Sequence, residues 1–187
     1  MRRVGAVILA AGASTRLGEP KQMVMLGQES LLERSIRVAE EAGCSPIVVV
    51  LGAFAEEIRK RCKLGRSKVL LNEAWKEGMG TSISAAIRSL HDVDGAVVMT
   101  CDMPAVTPEH LQALMAREEI AASFYANRRG VPAYFPQSTF PALAQLQGDT
   151  GAKELLQFAR TVELKGGELD IDTLQDVNRV REIFGGK

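Results

Sequence analysis

Apolar residues run unbroken through Val4–Ala10 (VGAVILA) and stop at the small residues Ala11 and Gly12. Such a run predicts a strand covered on both faces. From Ser30 to Glu41 the period changes. Leu31, Leu32, Ile36 and Ala39 fall at helical spacing, and Gly43 stands where a C-terminal cap is wanted. Pro46–Leu51 predicts a second buried strand, Phe54–Cys62 a helix and Lys68–Leu71 a third strand. A helix over Thr81–Leu90, with Ile83 and Ile87 on one face, leads to a further strand at Gly95–Thr100. Thr107-Pro108-Glu109 starts another helix: Thr107 can cap, Pro108 suits the first turn, and Glu109 suits the positive end of the dipole. Two shorter strands are expected at Ala121–Ala126 and Val131–Phe135. Thr173 to Asp176 has the spacing of a capping box, and a last helix runs toward Phe184. Strand and helix alternate through the first hundred residues, which predicts an α/β fold with a mostly parallel sheet and helices on both faces.

The length of 187 residues suits one domain, so a single domain over 1–187 is expected, divided into halves at 1–105 and 106–187. Twenty-three basic residues balance twenty-three acidic ones. Neutrality argues against a nucleic-acid footprint, yet leaves room for a small anion held by a few local cations. Cys44, Cys62 and Cys101 match no zinc or redox spacing. Arg2 and Arg3 before an apolar run superficially resemble a signal peptide, but the run is too short and ends in a glycine-rich loop. No run approaches membrane-spanning length, so a cytoplasmic protein with no membrane partner is expected. His91 and His110 have no partners at ligand spacing and are expected on the surface.

Chemistry is expected where strands end, because open α/β sheets bind ligands beyond their carboxyl ends. After the first strand come Gly12, Ser14, Arg16 and Lys21. Small residues let backbone N–H groups approach phosphate, and the hydroxyl and two cations add donors and charge. The run is neither GxGxxG nor GxxxxGK[ST]. After the strand at Gly95–Thr100 comes Thr100-Cys101-Asp102-Met103-Pro104, where Asp102 can hold Mg²⁺ or merely form the turn before Pro104. Cys101 has no base partner and is expected to pack. Asp170 and Asp172 flank Ile171, so in an extended segment both carboxylates face one side. They suit a metal, or Asp172 and Thr173 simply start the last helix. Between the third strand and the next helix, Asn72 offers both donors and an acceptor for a base. Gly78 and Gly80 permit close approach there, and Ser82 opens the helix. Trp75 is expected to be partly buried. Gly130-Val131-Pro132 and Gly148–Lys153 predict turns.

The stretch LAAGASTRLGEPK, residues 9–21, resembles the LAAGxSxRxGxxK signature of the MobA-like NTP transferases. NEAWKEGMGTSI, TCDMP, a Gly-x-Pro segment, GDTGAK and DIDTLQD follow in the family's order as far as residue 176. The pattern is most similar to the molybdenum cofactor cytidylyltransferases, whose loop carries alanine at the position of Ala11 where guanylyltransferases have LAGG. The resemblance implies a three-layer Rossmann-like domain of the nucleotide-diphospho-sugar transferase type, with a mostly parallel mixed sheet. It implies transfer of CMP from Mg-CTP to a molybdopterin-type cofactor with release of pyrophosphate. A molybdenum hydroxylase or its maturation factor would then be a partner. By this similarity Leu9, Ala10, Ala11, Gly12, Arg16 and Lys21 would hold the triphosphate, with Lys21, Arg16 and Asp102 catalytic. Asn72 and Gly80–Ser82 would lie near base and ribose. Asp102 would be the main Mg²⁺ ligand and Asp172 or Asp170 the second.

Three motifs depart from that pattern. GHP is Gly130-Val131-Pro132, DIDTPED is DIDTLQD, and GDxGAR ends in Lys153. The first and third fall on the acceptor side and leave the acceptor open. A guanylyltransferase, a sugar- or alcohol-phosphate nucleotidyltransferase, or a non-catalytic cofactor handover protein are the alternatives. An NAD-dependent oxidoreductase fits poorly: the glycine spacing is wrong, and the second strand ends at Leu51-Gly52 with no acid.

Overall fold

The structure, a computed structural model, describes residues 2–148 and 152–184. Asp149, Thr150 and Gly151 of the GDTGAK stretch lie outside the described residues. The strands of the main sheet are β1 (Val4–Ala10), β4 (Ile47–Leu51), β5 (Lys68–Leu71), β6 (Gly95–Thr100), β7 (Ala121–Tyr125), β8 (Arg128–Pro136) and β9 (Arg160–Glu163). β2 (Met25–Leu26) and β3 (Glu29–Ser30) form a separate small hairpin. The helices are α1 (Leu31–Glu41), α2 (Ala55–Arg61), α3 (Met79–Ser89), α4 (Pro108–Met115), α5 (Phe140–Leu143), α6 (Lys153–Leu156) and α7 (Leu174–Phe184).

The main sheet has the order β5-β4-β1-β6-β8-β7-β9, and only β8 runs against the rest. Every residue of β1 is buried because helices cover both faces of the sheet. Side chains alternate between two cores. Ala6, Ile8 and Ala10 meet Leu32 and Ile36 of α1, Ile58 of α2, and Leu111 and Leu114 of α4. Val7 and Leu9 meet Ile83, Ala86 and Ile87 of α3, together with Leu143 and Leu156. This is an α/β Rossmann-like fold in three layers, with a mixed, mostly parallel sheet. A third apolar cluster joins Leu17, Val24, Leu26 and Leu31 to Ile171, Val177 and Val180, so α7 packs against the segment that follows β1.

Local chemistry explains the boundaries. Ser30 caps α1 through a reciprocal box: its hydroxyl accepts from Glu33 N–H at 3.2 Å, and the Glu33 carboxylate accepts from Ser30 N–H at 2.7 Å. Gly43 follows α1 at φ +90°, the left-handed angle that a C-terminal cap requires. Thr107 caps α4 and Thr173 pairs reciprocally with Asp176 at the start of α7. β8 is longer than the expected Val131–Phe135, because a tight turn at Ala126-Asn127 zips Arg128 against Tyr125. α3 starts at Met79, so Ser82 lies inside it rather than opening it. β9 and α5 carry too little periodicity to be seen in the sequence.

His110 corrects an expectation. It is 9% exposed, and its Nε2 lies 2.8 Å from Ser123 Oγ, which donates to Pro132 O at 2.6 Å. The third residue of α4 faces the sheet, and its partner on β7 is remote in sequence. Burial lowers its pKa below the ordinary histidine value. His91 is exposed, as expected. All three cysteines are free and buried, and burial pushes the Cys44 thiol up to about 12. No helix among the described residues is long and apolar enough to cross a membrane.

Candidate active site

Strand order reverses at β1: the chain moves outward through β4 and β5, then returns to place β6 on the other side of β1. A crevice opens beyond the strand ends at such a switch point. Leu9 pairs with Thr100, so the loop after β1 and the turn after β6 leave the sheet side by side. Between them lies a cleft of about 340 Å³, lined by Leu9, Ala10, Ala11, Gly12, Lys21, Ser82 and Asp102 among the expected residues. Gln22, Trp75, Lys76 and Met79 also line it.

The charged centre is compact. Lys21 Nζ donates to Asp102 Oδ2 at 2.7 Å and to Asp172 Oδ1 at 3.0 Å. Arg16 donates to the other oxygen of Asp172 at 2.8 Å. Burial alone works against the lysine charge, but the field and hydrogen bond of Asp102, then those of Asp172, outweigh it and raise the pKa. Lys21 is therefore a fixed cation, not a base. Its position is set by the backbone: Ser14 takes a left-handed φ of 53°, and its hydroxyl accepts from Lys21 N–H at 3.0 Å. Asp172 is brought in by the neighbouring Ile171, which is fully buried and donates its N–H to Asp102 O at 3.1 Å. Because Thr173 and Asp176 cap α7, the Asp172 carboxylate is free for the two cations. Asp170 is exposed and forms no hydrogen bond or ion pair among the described residues.

Asn72 is organised differently from the expectation for a base reader. Its amide donates to Thr81 and Ser82, both at 2.9 Å, and its oxygen accepts from Ala74 N–H at 3.1 Å. The side chain is 6% exposed and braces the loop before α3. Gly80 is small because a Cβ there would come within 2.9 Å of the Gln147 and Gly148 backbone, not because it borders the cleft. Trp75 packs over Gly52, where a Cβ would lie 2.7 Å from its side chain, and Lys76 Nζ sits 5.5 Å from the indole centroid. Cys101 is buried and its thiol pKa is raised by desolvation, so it packs rather than reacts. Gln22 and Lys76 escaped the sequence reading, although Gln22 directly follows the expected Lys21.

A divalent cation fits the acidic pair. Asp102 Oδ1 is buried with no partner among the described residues, while Oδ2 accepts from Lys21. Buried carboxylate oxygens are hard donors, and Mg²⁺ takes one or two carboxylates and completes its shell with water and substrate phosphate. No group of three or more His, Cys, Asp or Glu side chains that could hold a metal ion is found among the described residues.

A mostly parallel sheet with a small-residue loop, a lysine and an acid converging at its switch point defines a nucleotidyltransferase-type fold. The chain belongs to the MobA-like NTP transferase family, whose domain matches residues 6–164. Nicotine blue oxidoreductase of Paenarthrobacter nicotinovorans is 30% identical over 194 residues, covering 97% of this chain and 95% of that relative. Purine catabolism protein PucB of Bacillus subtilis is 32% identical, covering 95% and 96%. Among solved structures, the Mycobacterium sp. strain JC1 homolog of Rv0371c is 31% identical with a TM-score of 0.86, covering 98% of both chains. Rv0371c of Mycobacterium tuberculosis in complex with manganese is 28% identical with a TM-score of 0.80, covering 96% of this chain and 98% of that one.

Proposed function

We propose that the protein is a cytoplasmic Mg²⁺-dependent cytidylyltransferase that moves CMP from CTP to a molybdopterin-type molybdenum cofactor and releases pyrophosphate. The observation that carries the reading is the convergence of Lys21, Asp102 and Asp172 beside the Ala10–Gly12 loop. Ala11 at the third position of that loop, and the order of the later motifs, support CTP and the molybdopterin acceptor. A relative solved with manganese supports divalent-metal use.

In this reading an acceptor phosphate oxygen attacks the α-phosphorus of the nucleotide in line. The bond to the bridging oxygen of the β-phosphate breaks, and pyrophosphate leaves with the electron pair. The attacking phosphate is anionic near neutral pH, so no protein base is required. Asp102 and Asp172, with Asp170 nearby in sequence, would hold a Mg²⁺ ion, which would supply charge neutralisation to the phosphates. Lys21 adds a fixed positive charge, and Arg16 a second, more exposed one. Positioning and such charges account for most phosphoryl-transfer catalysis. Ala11 and Gly12 line the cleft without bulk, and the Asn72-braced loop carries Trp75 and Lys76 into its lining. Residues 106–187 form the acceptor side.

The oxidoreductase name of one relative favours a second reading, a redox activity, and on a Rossmann-like sheet a nicotinamide dinucleotide is the co-substrate to weigh. Against it, β4 ends at Leu51-Gly52, and Gly52 is pressed beneath Trp75 where a ribose-binding acid would be needed.

Pyrophosphate release is measured with Mg²⁺, molybdenum cofactor and each of the four ribonucleoside triphosphates in turn. CTP-selective release that disappears in Asp102→Ala is the expected result. Release with GTP alone moves the protein to the guanylyl branch. No release from a folded protein that binds Mg-CTP rejects this acceptor and favours cofactor handover. Oxidation of a nicotinamide dinucleotide in place of release establishes the second reading.

A further inference from the structure

We infer that Gln22 is a positioning residue that turns the loop after β1 toward the nucleotide, an inference that rests on the nucleotidyltransferase reading above. Gln22 is 1% exposed and lies in the one-turn helix Lys21–Met23, directly after the site lysine. Its Nε2 donates to Ala10 O at 2.7 Å and to Gly12 O at 3.1 Å. Between those carbonyls, Ala11 O accepts from Ala53 N–H at 3.0 Å. Three successive carbonyls at the end of β1 are thus held by the protein.

The consequence follows from peptide geometry. In a planar trans peptide the C=O and the next residue's N–H point in opposite directions. The N–H of Ala11 shares a plane with Ala10 C=O, and that of Ala13 with Gly12 C=O. Both therefore face away from Gln22. Neither donates to a backbone carbonyl outside the sheet ladders. Ala11 and Gly12 line the cleft shared with Lys21 and Asp102, and backbone N–H groups gathered in such a loop form an anion-binding concavity.

The chemistry of the amide explains the choice of residue. Among uncharged side chains, an NH₂ group is what can donate to two carbonyls at once, and this fixes the orientation of the amide. Its Oε1 is left buried with no partner among the described residues. An apolar side chain of the same shape would remove that orphaned acceptor but leave the Ala10 and Gly12 carbonyls without this donor. One short turn then does two things: Lys21 presents its ammonium to Asp102 and Asp172, and Gln22 locks the loop that the ammonium accompanies.

Binding of each of the four Mg-nucleoside triphosphates is measured by calorimetry on wild type, Gln22→Met and Gln22→Glu, with circular dichroism and unfolding midpoints alongside. Methionine keeps the shape and removes the donors; a carboxylate keeps polarity but cannot donate to two carbonyls. Both variants are expected to weaken the nucleotide that wild type binds by about tenfold or more. A merely structural role predicts a lower midpoint with unchanged affinity. A folded variant that binds as tightly as wild type overturns the inference. Should neither variant fold, nuclear magnetic resonance of wild type decides: the Ala11 and Ala13 amide protons are expected to shift downfield on adding Mg-CTP, and unmoved amides overturn the inference. Wild type that binds no triphosphate at all instead removes the nucleotidyltransferase reading itself.

Discussion

Lys21 carries three constraints at once: its backbone is pinned by Ser14, and its ammonium is shared by Asp102 and Asp172. The two carboxylates overcome the burial penalty and keep it charged throughout the neutral range. Lysine suits this place because it delivers a compact point charge, whereas the planar fork of arginine would need room and different angles. Lys21→Ala is expected to cut pyrophosphate release by roughly 100-fold or more, the scale seen when one electrostatic donor is removed from a transition state. Far-UV circular dichroism is expected to stay unchanged, since the residue is a member of none of the three apolar clusters. Near-normal turnover would remove Lys21 from the chemistry. Lys21 and Asp102 were legible in the sequence because each follows a long apolar run that can only be a buried strand. Gln22 was not, because its role depends on carbonyls that any residue would supply. Asn72 was legible as important but not in what it does, because its partners Thr81 and Ser82 become neighbours only when the loop folds back on α3.

At the scale of elements, the strands and helices through β6 stand out wherever burial on both faces or a capping box writes a strong pattern. β9 and the short helix α5 do not, because each buries too few side chains to set a period. The contact between α4 and the sheet shows the same limit, since His110 has no visible partner along the chain while the fold supplies Ser123. That contact makes a pH prediction. Burial holds the folded-state pKa of His110 below the ordinary value near 6.5. In the native state the ring stays neutral where the unfolded chain already takes up a proton, so acidification favours unfolding. The stability contribution is present above about pH 6.5 and declines as pH falls toward the depressed folded value. His110→Gln is expected to flatten the dependence of the unfolding midpoint on pH between about 5 and 7 relative to wild type. An identical slope in both proteins would show that acid sensitivity arises elsewhere.

Across the whole molecule, the site is closed by chain segments far apart in sequence. Asp172 reaches back 151 positions to Lys21 and 156 to Arg16. Ile171, Val177 and Val180 pack against Leu17, Val24, Leu26 and Leu31 in one apolar cluster. Binding at the acidic pair therefore draws on β1, β6 and the segment before α7 together, and a ligand that engages all three must stabilise the fold as a unit. Mg²⁺ alone meets carboxylates already neutralised by Lys21, so its effect is expected to be small. Mg-CTP adds the phosphates that occupy the cleft. At 100 times its dissociation constant a ligand contributes about 2.7 kcal/mol. For a chain of this size that corresponds to roughly 5–10 °C in unfolding midpoint. Differential scanning fluorimetry with Mg²⁺, CTP and Mg-CTP in separate wells checks it. A large rise confined to Mg-CTP is expected, and Asp172→Ala should reduce it by removing a carboxylate that ties the segment before the last helix to the site. Equal shifts for CTP with and without the metal would mean that the phosphates are held by Lys21, Arg16 and the loop alone, and that the acidic pair serves only to hold those cations in place.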